Sequence, residues 1–277
     1  MRGRRLCAFV LYATVLPPVT CRGADLQAIV RRGTAAIHSD WDAAPDYAYL
    51  ERDEWVKKGK QASKTSLVVT IAGSAYYVPI ATDDRPLSPD RKAAEIEKVR
   101  SEVERRNNET PGTRARRIES FRKQQDENGA MLRDFPDAFS FELLREETLN
   151  GFSAYVLSAT PRPRAGPLSR AARVLSGMRG TLWIERARFH VIRGECEVVS
   201  PVPVYGMLAR ILPGTRVIIA EAPVNDSLWL ISEFDLTLAV SKFFFFNSTQ
   251  VTRSSFSGYR LNTDVMKDLL GESLPLP

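Results

Sequence analysis

Apolar residues recur along the chain with two different spacings, which predict helices in some segments and strands in others. Residues 25–40 carry apolar side chains at near-helical spacing and predict a helix. Residues 46–58 and 64–80 are rich in tyrosine and valine and predict strands, with Gly73-Ser74 as the turn within the second segment. The chain therefore opens with a helix that is followed by extended structure.

A strongly charged region follows and predicts helices of a different kind. Ser88 is suited to cap a helix and Pro89 to occupy its first position. The next residues carry a narrow apolar stripe, Ile96, Val99 and Val103, on a charged surface. We expect this helix to end in the polar stretch 105–117 and a second amphipathic piece to begin at 117, so that residues 84–130 form a charged helical insertion.

From residue 138 onward the pattern is almost entirely that of strands. A hairpin is predicted around Asn150-Gly151, a dipeptide typical of two-residue hairpin turns. Residues 228–240 alternate, with Leu228, Leu230, Phe234, Leu236, Leu238 and Val240 predicted on one core face, interrupted only at Ser232. Trp229 and Ile231 fall on the other face, among polar residues. Strands without intervening helices predict an α+β fold, with a curved antiparallel β-sheet (half-barrel) and helices packed in its concavity.

Four consecutive phenylalanines, residues 243–246, continue the alternating strand. The alternation places Phe244 and Phe246 with the leucine face, and Phe243 and Phe245 opposite. Three interpretations stay open for the second pair: a strand buried on both faces, the lining of a cavity inside the curved sheet, or an exposed docking patch.

The N-terminus has the order of a secretory signal peptide: arginines, then an apolar run from Leu6 to Leu16, then small residues. We expect export to the periplasm with cleavage near residue 24, which leaves residues 25–277 as a single domain. Cys21 offers a lipid anchor as a less favoured alternative. Removal of four arginines from a net charge of +6 leaves about +2, with bases and acids interleaved, and this pattern argues against nucleic-acid binding.

No residue pattern in the chain specifies a reaction. His190 and Cys196 are six residues apart, roughly 20 Å along a strand, which is too far for a nucleophile and its base. Glu195 and Glu197 share a face at a spacing that some paired-carboxylate enzymes use, but two solvated strand residues explain them better. We predict no catalytic residues, no metal site and no cofactor.

Several features of the C-terminal half resemble periplasmic lipoprotein-carrier-like proteins of the LolA/LolB fold group, and uncharacterised exported relatives of that group in particular. They are a Gly-x-Leu-Trp-Ile-Glu strand at 180–185, a Tyr-Gly-x-Leu-Ala turn at 205–209, a Pro-Gly-Thr strand entry at 213–215 and the Trp229-Leu230 pair. The resemblance implies a curved antiparallel sheet around helices, with an apolar interior that shelters acyl chains. The charged insertion is a departure from the true carriers.

Two functions from different classes follow. The first is a non-catalytic periplasmic binding protein or carrier for an acyl chain, a lipoprotein or another apolar ligand, with peripheral membrane contact. Its predicted apolar lining is Phe243, Phe245, Trp229, Ile231 and Trp183. The second is an exported module that binds an envelope protein and has no small ligand.

Overall fold

A computed structural model describes residues 23–57, 60–162, 172–204, 209–242 and 246–271. The predicted signal segment up to residue 22 and the phenylalanines Phe243 and Phe245 lie outside these ranges. The helices are α1 (Gly23–Ala43), α2 (Pro89–Asn107), α3 (Pro111–Ala138) and α4 (Asn262–Leu270), with 3-10 turns at Ala44–Asp46 and Ala172–Gly177. No helix within the described ranges is long and apolar enough to cross a membrane.

The strands form one antiparallel sheet that is curved and does not close. They are β1 (Tyr47–Lys57), β2 (Lys60–Ile71), β3 (Ser74–Thr82), β4 (Arg85–Pro86), β5 (Phe139–Leu149), β6 (Phe152–Pro161), β7 (Met178–Glu185), β8 (Val191–Val198), β9 (Val202–Val204), β10 (Ala209–Ile211), β11 (Arg216–Pro223), β12 (Trp229–Lys242) and β13 (Phe246–Leu261). The order across the sheet is β4-β3-β2-β1-β13-β12-β11-β8-β7-β6-β5, with β9 and β10 attached beside β12. The predicted α+β class and curved antiparallel sheet are confirmed.

Local sequence signals explain most element boundaries. The side chain of Ser88 accepts a hydrogen bond from the Arg91 amide, so Ser88 caps α2 as predicted. Asn150 and Gly151 both have positive φ, as a two-residue turn between β5 and β6 requires. The β2–β3 turn is instead formed by Ala72 and Gly73, one residue earlier than predicted, because these two adopt the positive φ values.

The break between the two charged helices is shorter than the sequence suggested. α2 ends at Asn107, within the polar stretch 105–117 as predicted, but α3 begins at Pro111 rather than at 117. Thr110 caps α3 through its side chain, which accepts a hydrogen bond from the Thr113 amide. A proline at the first helical position is compatible with a helix start, so the Pro-Gly pair here begins a helix rather than a loop.

Two hydrophobic cores lie at opposite ends of the sheet. The first packs α1, the end of α3 and strands β5 to β8 together, and its buried residues include Leu26, Val30, Phe139, Leu157, Leu182 and Ile184. The second packs α2 and α4 on β1 to β3, and its buried residues include Val69, Ile71, Val78, Val99, Val103 and Met266. The strands between the two ends, β11 to β13, contribute none of the described buried residues of either core.

The strand register shows that the two cores occupy different faces of the sheet. Directly paired residues of antiparallel strands share a face. A chain of such pairs runs from β7 to β1 through Leu182, Gly194, Ile219, Phe234, Ser254 and Asp53. Leu182 packs in the first core, so this is the face that α1 covers, and we name it the α1 face. Leu67 and Val69 have the opposite parity, so α2 and α4 pack on the other face, a distribution that the sequence did not predict.

Candidate ligand-binding face

At the edge of the first core, where Val217 packs against it, the α1 face continues as a strip of apolar side chains on β11 and β12. Val217 pairs with Leu236 and Ile219 pairs with Phe234, so these four side chains are neighbours on one face. Leu238 and Val240 extend the strip along β12. All are half-buried except Ile219, which is 40% exposed. We name Val217, Ile219, Phe234, Leu236, Leu238 and Val240 the central apolar strip.

A β-bulge in β12 decides which residues reach this strip. Glu233 pairs with Ala220, but the next pair joins Ile231 to Glu221, so Ser232 is an extra residue in β12. An extra residue shifts the alternation by one position. The prediction that Leu228 and Leu230 share a face with Phe234 and Leu236 is therefore wrong. Leu228 and Leu230 are buried on the face opposite Phe234 and Leu236, whereas Leu236 is only half-buried.

The three predicted lining residues that the structure describes lie in different surroundings. Ile231 is half-buried and, because of the bulge, joins the side of the central apolar strip. Trp229 is 4% exposed; its ring stacks on His190 at 5.0 Å and meets the edge of Phe152 at 4.7 Å.

Trp183 has the opposite parity to Leu182, so it faces away from α1, and its indole nitrogen donates to Glu147 at 2.5 Å. Trp183 and Trp229 belong to one small cluster with Ala154 and Ile192, and Ile231 does not. Phe243 and Phe245 lie outside the described residues.

Aromatic and acidic side chains extend the α1 face onto β13, β1 and β3. Tyr49 packs against Tyr259 with ring centroids 5.2 Å apart, and against Phe256 at 6.0 Å. Glu51 pairs directly with Phe256. Burial raises the pKa of Glu51 to about 7, and the neighbouring Asp53 carboxylate contributes to the rise. This part of the face is thus apolar, aromatic and acidic together.

Three buried polar groups lie where the end of α1 meets the sheet. Asp40 of α1 approaches His190, with Oδ2 and Nδ1 3.2 Å apart, but neither atom makes a hydrogen bond. Glu221 of β11 is also buried, and its Oε2 has no hydrogen-bond partner. Burial, aided by the nearby Asp40, raises the pKa of Glu221 to about 8. No sequence pattern indicated this cluster, because Glu221 and Asp40 are single acidic residues in an ordinary strand pattern and an ordinary helix pattern.

The groups considered for catalysis are engaged elsewhere. Cys196 packs against the first core, and burial raises the pKa of its thiol to about 11, which keeps it protonated. Glu195 forms ion pairs with Arg193 and Arg216 on the face opposite α1. Glu197 pairs with Arg179 on that same face. The two glutamates are therefore members of a surface charge ladder rather than a carboxylate pair that faces a substrate.

Solved structures provide a comparison for the fold. The chain is similar to a Vibrio parahaemolyticus domain named for outer membrane lipoprotein sorting, with 12% identity, a TM-score of 0.32, and coverage of 88% of this chain and 97% of that chain. It is similar to a DUF1329 family protein from Desulfovibrio piger, with 12% identity, a TM-score of 0.30, and coverage of 88% and 98%.

A third similar structure is a LolA superfamily protein from Nitrosomonas europaea, with 10% identity, a TM-score of 0.30, and coverage of 85% and 92%. These names match the group of proteins that the sequence resembles. No protein-family model matches the chain, and no curated protein matches it.

Proposed function

We propose that this chain is a non-catalytic binding protein that shelters an acyl chain, or a molecule of similar shape and polarity, on its α1 face. The observation that carries the proposal is the central apolar strip, whose six side chains share one face and retain exposed apolar surface. The predicted signal peptide supports a periplasmic location for this activity.

Physical considerations support an elongated apolar ligand. From Phe234 to Val240 the strip extends six residues, roughly 20 Å at the rise of a β-strand. Each 1 Å² of apolar surface removed from water contributes about 25 cal/mol, so a ligand laid along several half-buried side chains gains affinity without specific polar contacts. An extended hydrocarbon chain meets this requirement.

The proposal is tested with a fluorescent fatty-acid probe and two matched variants. Leu236→Ala removes apolar contact from the strip, and we expect probe affinity to fall about tenfold, equivalent to about 1.4 kcal/mol. Leu144→Ala is the control, because Leu144 is 52% exposed on the edge strand β5, away from the strip. We expect the control to bind like the parent protein.

Native mass spectrometry of the protein purified from periplasm gives an independent result. A co-purified lipid mass supports the proposal. If the parent protein binds no probe and also carries no lipid, the carrier function is overturned.

A second function, the binding of an envelope protein, is favoured by the free edge of the sheet. β5 is eleven residues long and, among the described strands, pairs only with β6. An unpaired edge offers backbone N–H and C=O groups to an added strand. In the same mass spectra, a protein mass bound without lipid favours this second function.

A further inference from the structure

Next to the central apolar strip, the α1 face carries three tyrosines and two carboxylates, which we name the acidic tyrosine cluster: Tyr49, Tyr77, Tyr259, Glu51 and Asp53. Register places them together. Tyr49 and Tyr77 both pair with Val68, and Asp53 connects through Ser254 to Phe234 of the strip. Two strand spacings, about 10 Å, therefore separate Asp53 on β1 from Phe234 on β12.

The carboxylates of this cluster lack the basic partners that acids on the other face possess. Asp53 accepts a hydrogen bond from the hydroxyl of Ser254 at 2.6 Å. Within the described residues, no ion pair joins Glu51 or Asp53 to a base, although Lys64 stands opposite Asp53 on β2. On the other face of the same strand, Glu54 pairs with Arg52. The α1 face is therefore net negative here.

A buried carboxylate on β11, Glu221, lies two strands from Tyr259 of the cluster. Glu221 is 6% exposed and its Oε2 has no hydrogen-bond partner. Tyr259 donates its hydroxyl hydrogen to the Ile231 carbonyl at 2.6 Å, and Ile231 is the direct pair of Glu221. Tyr259 lies on β13, between β1, which carries Glu51, and β11, which carries Glu221. A positive charge bound beside Tyr259 would meet Glu51 and Asp53, which no ion pair joins to a base within the described residues.

We propose that the acidic tyrosine cluster binds the cationic head group of an amphiphile whose apolar chain lies on the central apolar strip. The inference rests on the proposed function and specifies the class of its ligand. Carboxylates attract an ammonium group directly, and the faces of tyrosine rings attract it through their negative quadrupole. Half-exposed Tyr77 leaves the cluster open to solvent.

Calorimetric titration with three amphiphiles of equal chain length tests the inference: decyltrimethylammonium, decyl maltoside and decanoate, each below its micelle concentration. We expect the cation to bind about tenfold more tightly than the neutral maltoside, and the anion to bind most weakly. Equal binding of all three overturns the inference and leaves the carrier function standing. Absence of binding by all three overturns both.

A charge-matched pair of variants locates the effect. Glu51→Gln removes one negative charge from the cluster, and Glu54→Gln removes one from the opposite face of the same strand. We expect Glu51→Gln to weaken decyltrimethylammonium binding five- to tenfold without changing that of decyl maltoside, whereas Glu54→Gln changes neither. Equal losses in both variants would show that net charge alone steers the cation, and the site would be rejected.

The pH dependence provides a further readout. The groups that face Glu51 are Tyr49 and Asp53 on β1, Lys64 on β2, Tyr77 on β3 and Tyr259 on β13. The permanent charge of decyltrimethylammonium does not titrate, so stronger binding between pH 6 and 8 reports ionisation of the protein. We expect that increase in the parent protein and its reduction in Glu51→Gln; no increase in the parent contradicts the assignment of Glu51.

Discussion

Glu221 is a carboxylic acid that is 6% exposed, and its Oε2 has no hydrogen-bond partner. The groups that act on it electrostatically are Tyr259 and the acid Asp40, and neither supplies a positive charge. Burial of an isolated charge is so costly that the group holds its proton instead. The neutral form is therefore the stable one in the folded protein, up to a pKa of about 8.

The sign of the resulting pH dependence follows from linkage. The folded pKa of Glu221, about 8, lies above its ordinary value of 4.5, so the folded state binds more protons between these values. The free energy of unfolding should fall as pH rises from about 4.5 to 8. We expect Glu221→Gln to flatten this slope and to be more stable than the parent at pH 8, by about 1–3 kcal/mol.

Urea unfolding at pH 5 and pH 8 measures the effect. Glu54→Gln is the control, since Glu54 belongs to a surface ion pair. A slope that persists unchanged in Glu221→Gln would place the titrating group elsewhere.

Gly180 shows how a single residue sets the distance between two strands. A methyl group at this position would lie 2.5 Å from the Glu195 carbonyl oxygen and 2.7 Å from the Cys196 sulfur. Only glycine fits without displacing the backbone of β8. The first residue of the Gly-x-Leu-Trp-Ile-Glu segment is thus explained by close approach rather than by a turn.

At the scale of elements, a buried arginine attaches α2 to the sheet, although it stands in a segment whose charges predict a solvent-exposed surface. Arg106 is 5% exposed and donates to the Ile71 carbonyl at 2.8 Å and to the Ser74 carbonyl at 2.9 Å. It also pairs with Glu102 at 2.6 Å within the helix. These bonds satisfy carbonyl groups at the β2–β3 turn and fix the end of α2 over the second core.

Removal of this arginine should detach the helix end. We expect Arg106→Met to lower the free energy of unfolding by about 2–4 kcal/mol, because two buried carbonyls lose their donor. Arg105→Met is the matched control, since Arg105 is exposed and forms surface pairs worth at most about 1 kcal/mol. Chemical denaturation of both variants measures the free energy of unfolding. Equal decreases in the two variants would show that the buried hydrogen bonds of Arg106 do not stabilise the fold.

At the scale of the whole molecule, two helix-covered ends are joined by a middle that has less cover. α3 connects the ends: Ile118 lies beside the β2–β3 turn, and Asp137 accepts from Arg31 of α1 at 2.6 Å. Elements with separate cores open with separate free energies. A destabilising substitution in one core should therefore increase local opening at that end of the sheet and leave the other end unchanged.

Native-state hydrogen exchange tests this division. Val103→Ala cuts a fully buried side chain of the second core, at a cost of about 2 kcal/mol. We expect amides of α2, α4 and β1 to β3 to exchange faster, while those of β5 to β8 keep their protection. Leu157→Ala, in the first core, should give the reverse pattern. Uniform loss of protection in either variant would show one cooperative unit.

The sequence by itself determined those features that depend on neighbours along the chain. Local conformational preferences explain the Ser88 cap and the Asn150-Gly151 turn. The spacing of apolar residues, every second position in strands and helical spacing in helices, explains the long antiparallel strands and the α+β class. Such preferences act over a few residues, so the residues that express them are visible in the sequence. The same alternation placed Ile231 on the face opposite Phe234 and Leu236, and the bulge at Ser232 brings it to their side instead.

Only the tertiary structure decided which faces and which charges are buried. The bulge at Ser232 exists because β12 pairs with β11 in a register that local sequence does not encode. Arg106 and Glu221 look like surface residues in their own segments, and the elements packed against them from far along the chain make them buried. Burial is a property of the whole assembly of elements, since a side chain loses its water only when residues distant in sequence cover it.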